Sequence, residues 1–266
     1  MLNNRLIIIT EFKDNILMKI ALKYNAKIIE HKEFIGGRYS VLSETGIVPS
    51  LLMNISLHKY KNLKNLIKNK NFVTSLIENV ALIYTLYKKN IKNSVLLNYD
   101  SDLNDLSYWY QQLIAESLGK KGKGINPTLS FGPKDQHALF QLYLDGPQDK
   151  FFTFFNPSIK KKKFIISKNI IFNETSFLKG KNIETIIKAQ CNAAKKVFKK
   201  QKIPFREITF NRKNEKEFVQ IITFFVLETI LLSKLLNIDP FNQPAVEKIK
   251  TETKKILGYK FSKNYF

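Results

Sequence analysis

Cysteine is nearly absent: Cys191 is the single one in 266 residues, so no disulfide framework holds this chain, and a reducing, cytoplasmic setting is the expectation. Histidine is scarce as well. His31, His58 and His137 are the only three, and no HExxH, CxxC or clustered His/Asp set occurs, so no metal site is expected. Carboxylates are few, with 22 Asp+Glu against 44 Lys+Arg and a net charge of +22. Such a balance favours nucleic acid when the cations form one patch. Here they are scattered over Lys59–Lys70, Lys160–Lys163, Lys195–Lys202 and Lys248–Lys255, so the expected consequence is milder, an attraction of anionic substrates without specific nucleic-acid binding. No basic segment followed by an apolar stretch and a small-residue cleavage site opens the chain, and no secretion signal is read. The most apolar run, Phe218–Leu236, contains Gln220, Glu228, Ser233 and Lys234. It reads as a buried core helix, because a membrane span needs about 20 mostly apolar residues without such charges.

What is present is ample for a core, at 44% hydrophobic residues, in one large domain or in one complete and one partial one. RLIIITEFKD reads as a strand and its following turn, and AKIIEHKEF as a second strand. Helical spacing of apolar and basic positions covers 62–90. Ser94–Tyr99 is a short apolar strand, and Asp102–Lys120 is a helix that opens on acidic residues. Further helices are expected over His137–Leu144, Ile183–Lys200, Glu215–Leu236 and Pro244–Leu257, with strands over Phe151–Phe155 and Phe205–Phe210. Lys160–Lys163 marks an exposed loop. Strands alternating with helices predict a parallel sheet covered on both faces, a three-layer α/β sandwich.

Three segments carry candidate chemistry. In AESLGKKGKGINPTLSFGPKDQHALF, Glu116 and His137 stand 21 positions apart on two helical segments. They could meet only if the intervening Gly- and Pro-punctuated stretch folds back. One is a candidate base, and the other is the side chain whose ordinary pKa suits proton transfer near neutrality. A surface Glu and a hydrogen-bonded His is the plainer reading of the pair taken alone. In EFIGGRYSVLSETGIVP, the adjacent Gly36 and Gly37 permit close approaches, Arg38 offers a fixed fork of donors for an oxyanion, and the hydroxyls of Ser40, Ser43 and Thr45 follow. The plainer reading there is a turn with a surface arginine. In DPFNQPAVEKIK, Pro244 suits a first helical turn, Gln243 sits at its start, and Lys250 lies seven positions on, on roughly the same face. A capped helix with a solvated lysine explains the same pattern.

Taken together and in this order, IGGRYSVLSETG, WYQQLIAESLGKKGKG with GPKDQHALFQLYLDGP, and NIDPFNQPAVEKIK resemble the phosphoglucose isomerase family in its shorter bacterial form. Ala245 and Asn242 stand where that family commonly has glycine and aspartate. The resemblance implies an aldose–ketose isomerase that interconverts glucose 6-phosphate and fructose 6-phosphate through an enediolate, with no metal or organic cofactor. It makes Glu116 the acid/base between C1 and C2, gives His137 and Lys250 parts in ring opening, and has Arg38 steady the enediolate, with Gly37, Arg38 and Gln243 contacting substrate. Such a division suits the chemistry, since a proton alpha to a carbonyl needs a placed carboxylate and a fixed cation where charge develops on oxygen. A homodimer whose partner subunit contributes to the site is implied too, without saying which histidine crosses over. His31 precedes the GGRYS segment closely enough to be near the site, though a core or surface role is the plainer reading.

The resemblance also implies a Gly-Gly-Ser turn and an SKSGNT-type loop that hold the sugar phosphate, upstream of GGRYS, and neither pattern occurs before Gly36. The chain is therefore expected to be a fragment rather than a degenerate frame. Residues 1–60 would be the remnant of a first sugar-isomerase domain, 61–93 a helical connection and 94–266 the second domain. The alternative function is a non-catalytic sugar-phosphate-binding or scaffolding remnant of the same fold. Ligands in such a sheet are expected at the carboxyl ends of the strands, where the loops bearing Arg38 and the Glu116–His137 segment would lie.

Overall fold

The computed structural model describes residues 6–55, 63–157, 164–167, 169 and 172–258. His58 and the Lys160–Lys163 loop lie outside them. Six strands are seen among the described residues. β1 (Ile7–Thr10) and β2 (Lys27–Glu30) pair in parallel across α1 (Ile16–Lys23). The main sheet is built from β3 (Asn93–Asn98), β4 (Asn126–Phe131), β5 (Lys150–Phe155) and β6 (Phe205–Ile208), all parallel, in the order β4-β3-β5-β6.

Alternation along β3 and β5 explains the three layers. Leu96, Phe151 and Phe155 point to one face, where they pack with α4 (Lys70–Lys88), α5 (Asn104–Leu118) and α9 (Glu215–Leu236). Val95, Leu97, Phe152 and Phe154 point to the other, against α7 (Phe140–Asp145) and α8 (Ile183–Lys200). Both faces are thus dry, as the near-continuous apolar runs of central parallel strands require. The four phenylalanines of β5 are all buried.

Local chemistry sets the helix ends. Asn214 caps α9 by accepting from the Glu217 amide, and the Glu217 carboxylate accepts in turn from the amides of Arg212 and Lys213 at 3.0 and 2.9 Å. Asn237, in the left-handed conformation, ends the helix. By length and composition α9 would also suit a membrane span. In this fold it packs on α4 and α5 and carries a fully buried Glu228, ion-paired with Arg206 of β6.

Several expected boundaries shift. The helical stretch over 62–90 is two helices, α3 (Leu63–Lys68) and α4, separated where the Asn69 side chain caps α4. The helix expected over His137–Leu144 is also two, α6 (Lys134–Ala138) and α7, meeting at Leu139. Helices α1 and α2 (Glu44–Leu52) and strand β4 have no counterpart in the sequence-based expectation. Strand β4 starts Asn-Pro, and Pro127 is tolerated because β4 is the edge of its sheet.

Candidate active site

Helix α5 runs antiparallel to β4. Its Tyr108 ring lies 6.0 Å from Phe131 at the carboxyl end of the strand, and Gln111 donates to the Pro127 carbonyl near the amino end. Glu116 lies five residues further along α5, beyond the amino ends of the strands. The expectation that this segment lies at the carboxyl ends is corrected: a helix that follows a strand returns across the sheet, so its last turn belongs to the opposite end from its first.

Arg38 reaches the same place from a 3₁₀ turn over Gly37–Leu42. The hydroxyls that follow Arg38 build this turn: Ser40 donates to the Gly37 carbonyl, and Ser43 and Thr45 both donate to the Ser40 carbonyl. Neither Gly36 nor Gly37 has a positive φ, and a Cβ at Gly37 would meet nothing within 4 Å. The glycine pair is therefore not a steric requirement within this chain, contrary to the expected close approach. The Trp109 indole N–H donates to the Arg38 carbonyl at 3.0 Å and fastens the turn to α5.

The guanidinium is buried, 3% exposed, and all five of its N–H groups are engaged. Nε donates to Ser117 Oγ at 2.9 Å, Nη1 to Glu116 Oε2 and Gln243 Oε1 at 3.1 Å each, and Nη2 to the carbonyls of Pro240 at 2.5 Å and Asn242 at 3.1 Å. A buried arginine needs this completeness, because each donor left without a partner carries its desolvation cost. The second carboxylate oxygen of Glu116 accepts from Gln112 at 2.9 Å. Tyr39 adds a hydroxyl 2.7 Å from Ser117 Oγ, and burial pushes its phenol pKa up.

Beside this cluster lies a cavity of about 450 Å³, walled by the end of α5 with Glu116 and Lys120 on one side and by Ile238, Asp239 and residues 242–246 on the other. Gln243 stands at the start of α10 (Pro244–Ile256) and lines the cavity, with Pro244 in the first turn. Burial and the like charge of Arg38 lower the Lys120 pKa. The cavity thus presents a carboxylate held in place by two donors, while Arg38, with every donor engaged, stands behind that carboxylate and does not line the cavity.

Arg38, Glu116 and Gln243 are thus brought together from three distant segments. Of the expected site residues only Glu116 and Gln243 line the cavity; Gly37, Arg38, His137 and Lys250 are not among the residues that do. His137 is exposed on α6 at the carboxyl side of the sheet, where the neighbouring Gln136 donates to Tyr99 Oη and the Gln190 carbonyl. The six residues of β4 separate it from Glu116, about 20 Å at the rise of an extended strand. The expected fold-back of the 119–133 segment does not occur. Lys250 is exposed on α10, 2.7 Å from Glu247, and no described side chain of that helix is buried. His31 is held by Glu44 and the Ile35 carbonyl. Ser117, Tyr39 and the carbonyls of Pro240 and Asn242 were not foreseen. The positions of Ser117, next to Glu116, and of Tyr39, next to Arg38, are the signals the sequence offers. Among the described residues no cluster of His, Cys, Asp and Glu is placed to hold a metal ion.

A family model described as phosphoglucose isomerase matches residues 13–264. The chain is 33% identical over 236 residues to a probable glucose-6-phosphate isomerase of Methanococcus maripaludis, covering 87% of this chain and 53% of that protein. It is 32% identical over 240 residues to the glucose-6-phosphate isomerase of Methanocaldococcus jannaschii, covering 88% and 59%. Against the enzyme of that name from Mesomycoplasma hyopneumoniae it is 32% identical over 267 residues, covering 96% and 61%. It therefore spans little more than half the length of these curated relatives. Among solved structures, a hypothetical protein from Thermus thermophilus superposes with a TM-score of 0.83 at 24% identity, over 96% of this chain and 63% of that one. A glucose-6-phosphate isomerase from Chlamydia trachomatis gives 0.70 at 14% identity, over 95% and 52%. At these identities the likeness shows a shared fold.

Proposed function

The chain belongs to the phosphoglucose isomerase family, and from that premise we propose that it carries the proton-transfer part of an aldose–ketose isomerase site acting on glucose 6-phosphate and fructose 6-phosphate. The observation that carries the reading is Glu116, which lines the cavity and is joined to the buried Arg38 at 3.1 Å. Glu116 takes the proton from C2 of the open-chain aldose and returns it to C1. Arg38 steadies the enediolate charge by exchanging one of the partners of its Nη1, Glu116 or Gln243, for the substrate oxygen, with Gly37 and Gln243 contacting substrate. No step in this scheme calls for a metal or organic cofactor.

His137 and Lys250 open the cyclic sugar. Because β4 separates His137 from Glu116 within one chain, the site takes its histidine from a second copy, in a homodimer. The phosphate is held by sequence of the Gly-Gly-Ser and SKSGNT types, which the 266 residues do not contain upstream of Arg38. On this reading residues 1–60 belong to a first sugar-isomerase domain, 61–93 to a helical connection and 94–266 to the second. The lone, buried Cys191 suits a reducing cytoplasm.

Deuterium incorporation from D2O into glucose 6-phosphate tests this, with the chain supplied with a polypeptide bearing the phosphate-holding loops. Exchange that depends on Glu116 is expected. No exchange, or equal exchange by Glu116→Gln, overturns the catalytic reading in favour of a non-catalytic sugar-phosphate-binding remnant. The chain without that polypeptide is expected to turn over little.

A further inference from the structure

Immediately after α5 the chain turns through Lys120-Lys121-Gly122-Lys123. Lys120 and Lys123 form an antiparallel bridge, with amide-to-carbonyl distances of 3.2 and 2.9 Å. The two central residues have φ of 54° and 67°, as a two-residue hairpin of the primed type requires. Gly124 closes it against α5: at φ 124°, a Cβ there would lie 2.6 Å from the Leu118 carbonyl.

Residues directly opposite in such a hairpin present their side chains on one face, and both lysines use that face on the same target. Lys123 Nζ donates to the carbonyl of Leu236, the last residue of α9, at 3.0 Å, and Lys120 Nζ donates to the Asp239 carbonyl at 2.5 Å. The segment they hold is stiffened by Asp239, whose carboxylate accepts from the Phe241 amide at 2.9 Å and from Asn242 Nδ2 at 2.7 Å. It then supplies Arg38 with the carbonyls of Pro240 and Asn242 and with Gln243 Oε1.

We propose that Lys120 and Lys123 are positioning residues: the hairpin clamps the 236–239 segment and thereby fixes where Arg38 stands relative to Glu116. The clamp has a physical rationale, since cations at a helix C-terminus meet carbonyls that lack intrahelical partners. Lys120 also places its own positive charge on the cavity wall. The importance of this position for the reaction rests on the isomerase reading; the clamp itself is measured without turnover.

The test is hydrogen exchange of arginine Nε–H groups in the ¹⁵N-labelled chain, with Arg38→Lys identifying the Arg38 signal. Arg206 Nε–H, bonded to Thr153 Oγ1 at 2.9 Å in the core, is the internal control. In Lys120→Met/Lys123→Met, Arg38 Nε–H is expected to exchange about tenfold faster or more while Arg206 is unchanged, and Lys120→Arg to stay within about twofold of the parent. Arg38 exchange unchanged in the double variant overturns the proposal. Should the double variant lose the Arg206 signal, Lys120→Met and Lys123→Met singly are judged by the same criteria. An inactive protein with a Lys-dependent Arg38 signal would sink the isomerase reading and leave the clamp standing.

Discussion

Arg38 Nη1 is shared between Glu116 and Gln243, 3.1 Å from an oxygen of each. Both of these partners line the cavity while Arg38 does not, so an anion in the cavity would reach the guanidinium only by displacing one of them.

Glu116→Gln keeps an acceptor for Arg38 and removes the base. Isomerisation is expected to fall about 100- to 10,000-fold in kcat with KM little changed. Steady-state kinetics of the reconstituted enzyme check this, and a variant within a few-fold of the parent assigns the proton to another group.

Because β4 holds Glu116 and His137 at opposite ends of the sheet, inactive Glu116→Gln and His137→Ala proteins should complement each other. Random exchange of subunits gives mixed dimers with one intact site, and about a quarter of parental activity is expected after mixing. No recovery, under conditions where exchange is demonstrated, places the histidine in its own chain's site.

Lys250→Ala removes an exposed partner of Glu247, so thermal unfolding should shift by no more than about 0.5 kcal/mol. Its effect should appear in turnover of cyclic glucose 6-phosphate and be smaller in proton exchange with an acyclic analogue. Equal losses on the two substrates count against ring opening.

Arg206 donates through both terminal nitrogens to Glu228, which is fully buried, and through Nε to Thr153. Glu228→Ala strands a buried cation and is expected to cost about 3–5 kcal/mol. Replacing Arg206 and Glu228 together by apolar residues should recover much of the loss, as chemical denaturation of the three variants would reveal.

Burial pushes the Cys191 thiol up to about 11. Thiolate is the reactive form, and unfolding returns the group to the ordinary range near 8.5, so at pH 8 the folded chain should resist alkylation and the unfolded chain should react at one site. The same raised value means that Cys191 favours the folded state below the unfolded pKa, and that this contribution is lost as pH rises toward 11. Rapid labelling of the folded chain at pH 8 contradicts the assigned burial.

Sequence pattern located what depends on periodicity. Helices α8 and α9 end where the expectation put them, and the phenylalanines of β5 are core because an uninterrupted apolar run suits a strand buried on both faces. Edge strand β4 escaped because Pro127 and the polar Asn126, Thr128 and Ser130 give it no such run. The site was legible as three segments containing Arg38, Glu116 and Gln243, while their meeting point was not, since it depends on which end of the sheet a returning helix reaches. The carbonyls of Pro240 and Asn242 were invisible for a simpler reason: a backbone acceptor has no letter in the sequence.

Strand β5, Lys-Phe-Phe-Thr-Phe-Phe, is shielded only by the finished fold, with β3 on one edge and β6 on the other. Strand β6 is made some 50 residues later, so during synthesis the segment waits with an unpaired edge and the composition of a self-associating peptide. Lys150 at its first position and the lysine run that follows at 160–163 are charge of the kind that opposes such association, through a repulsion that salt screens.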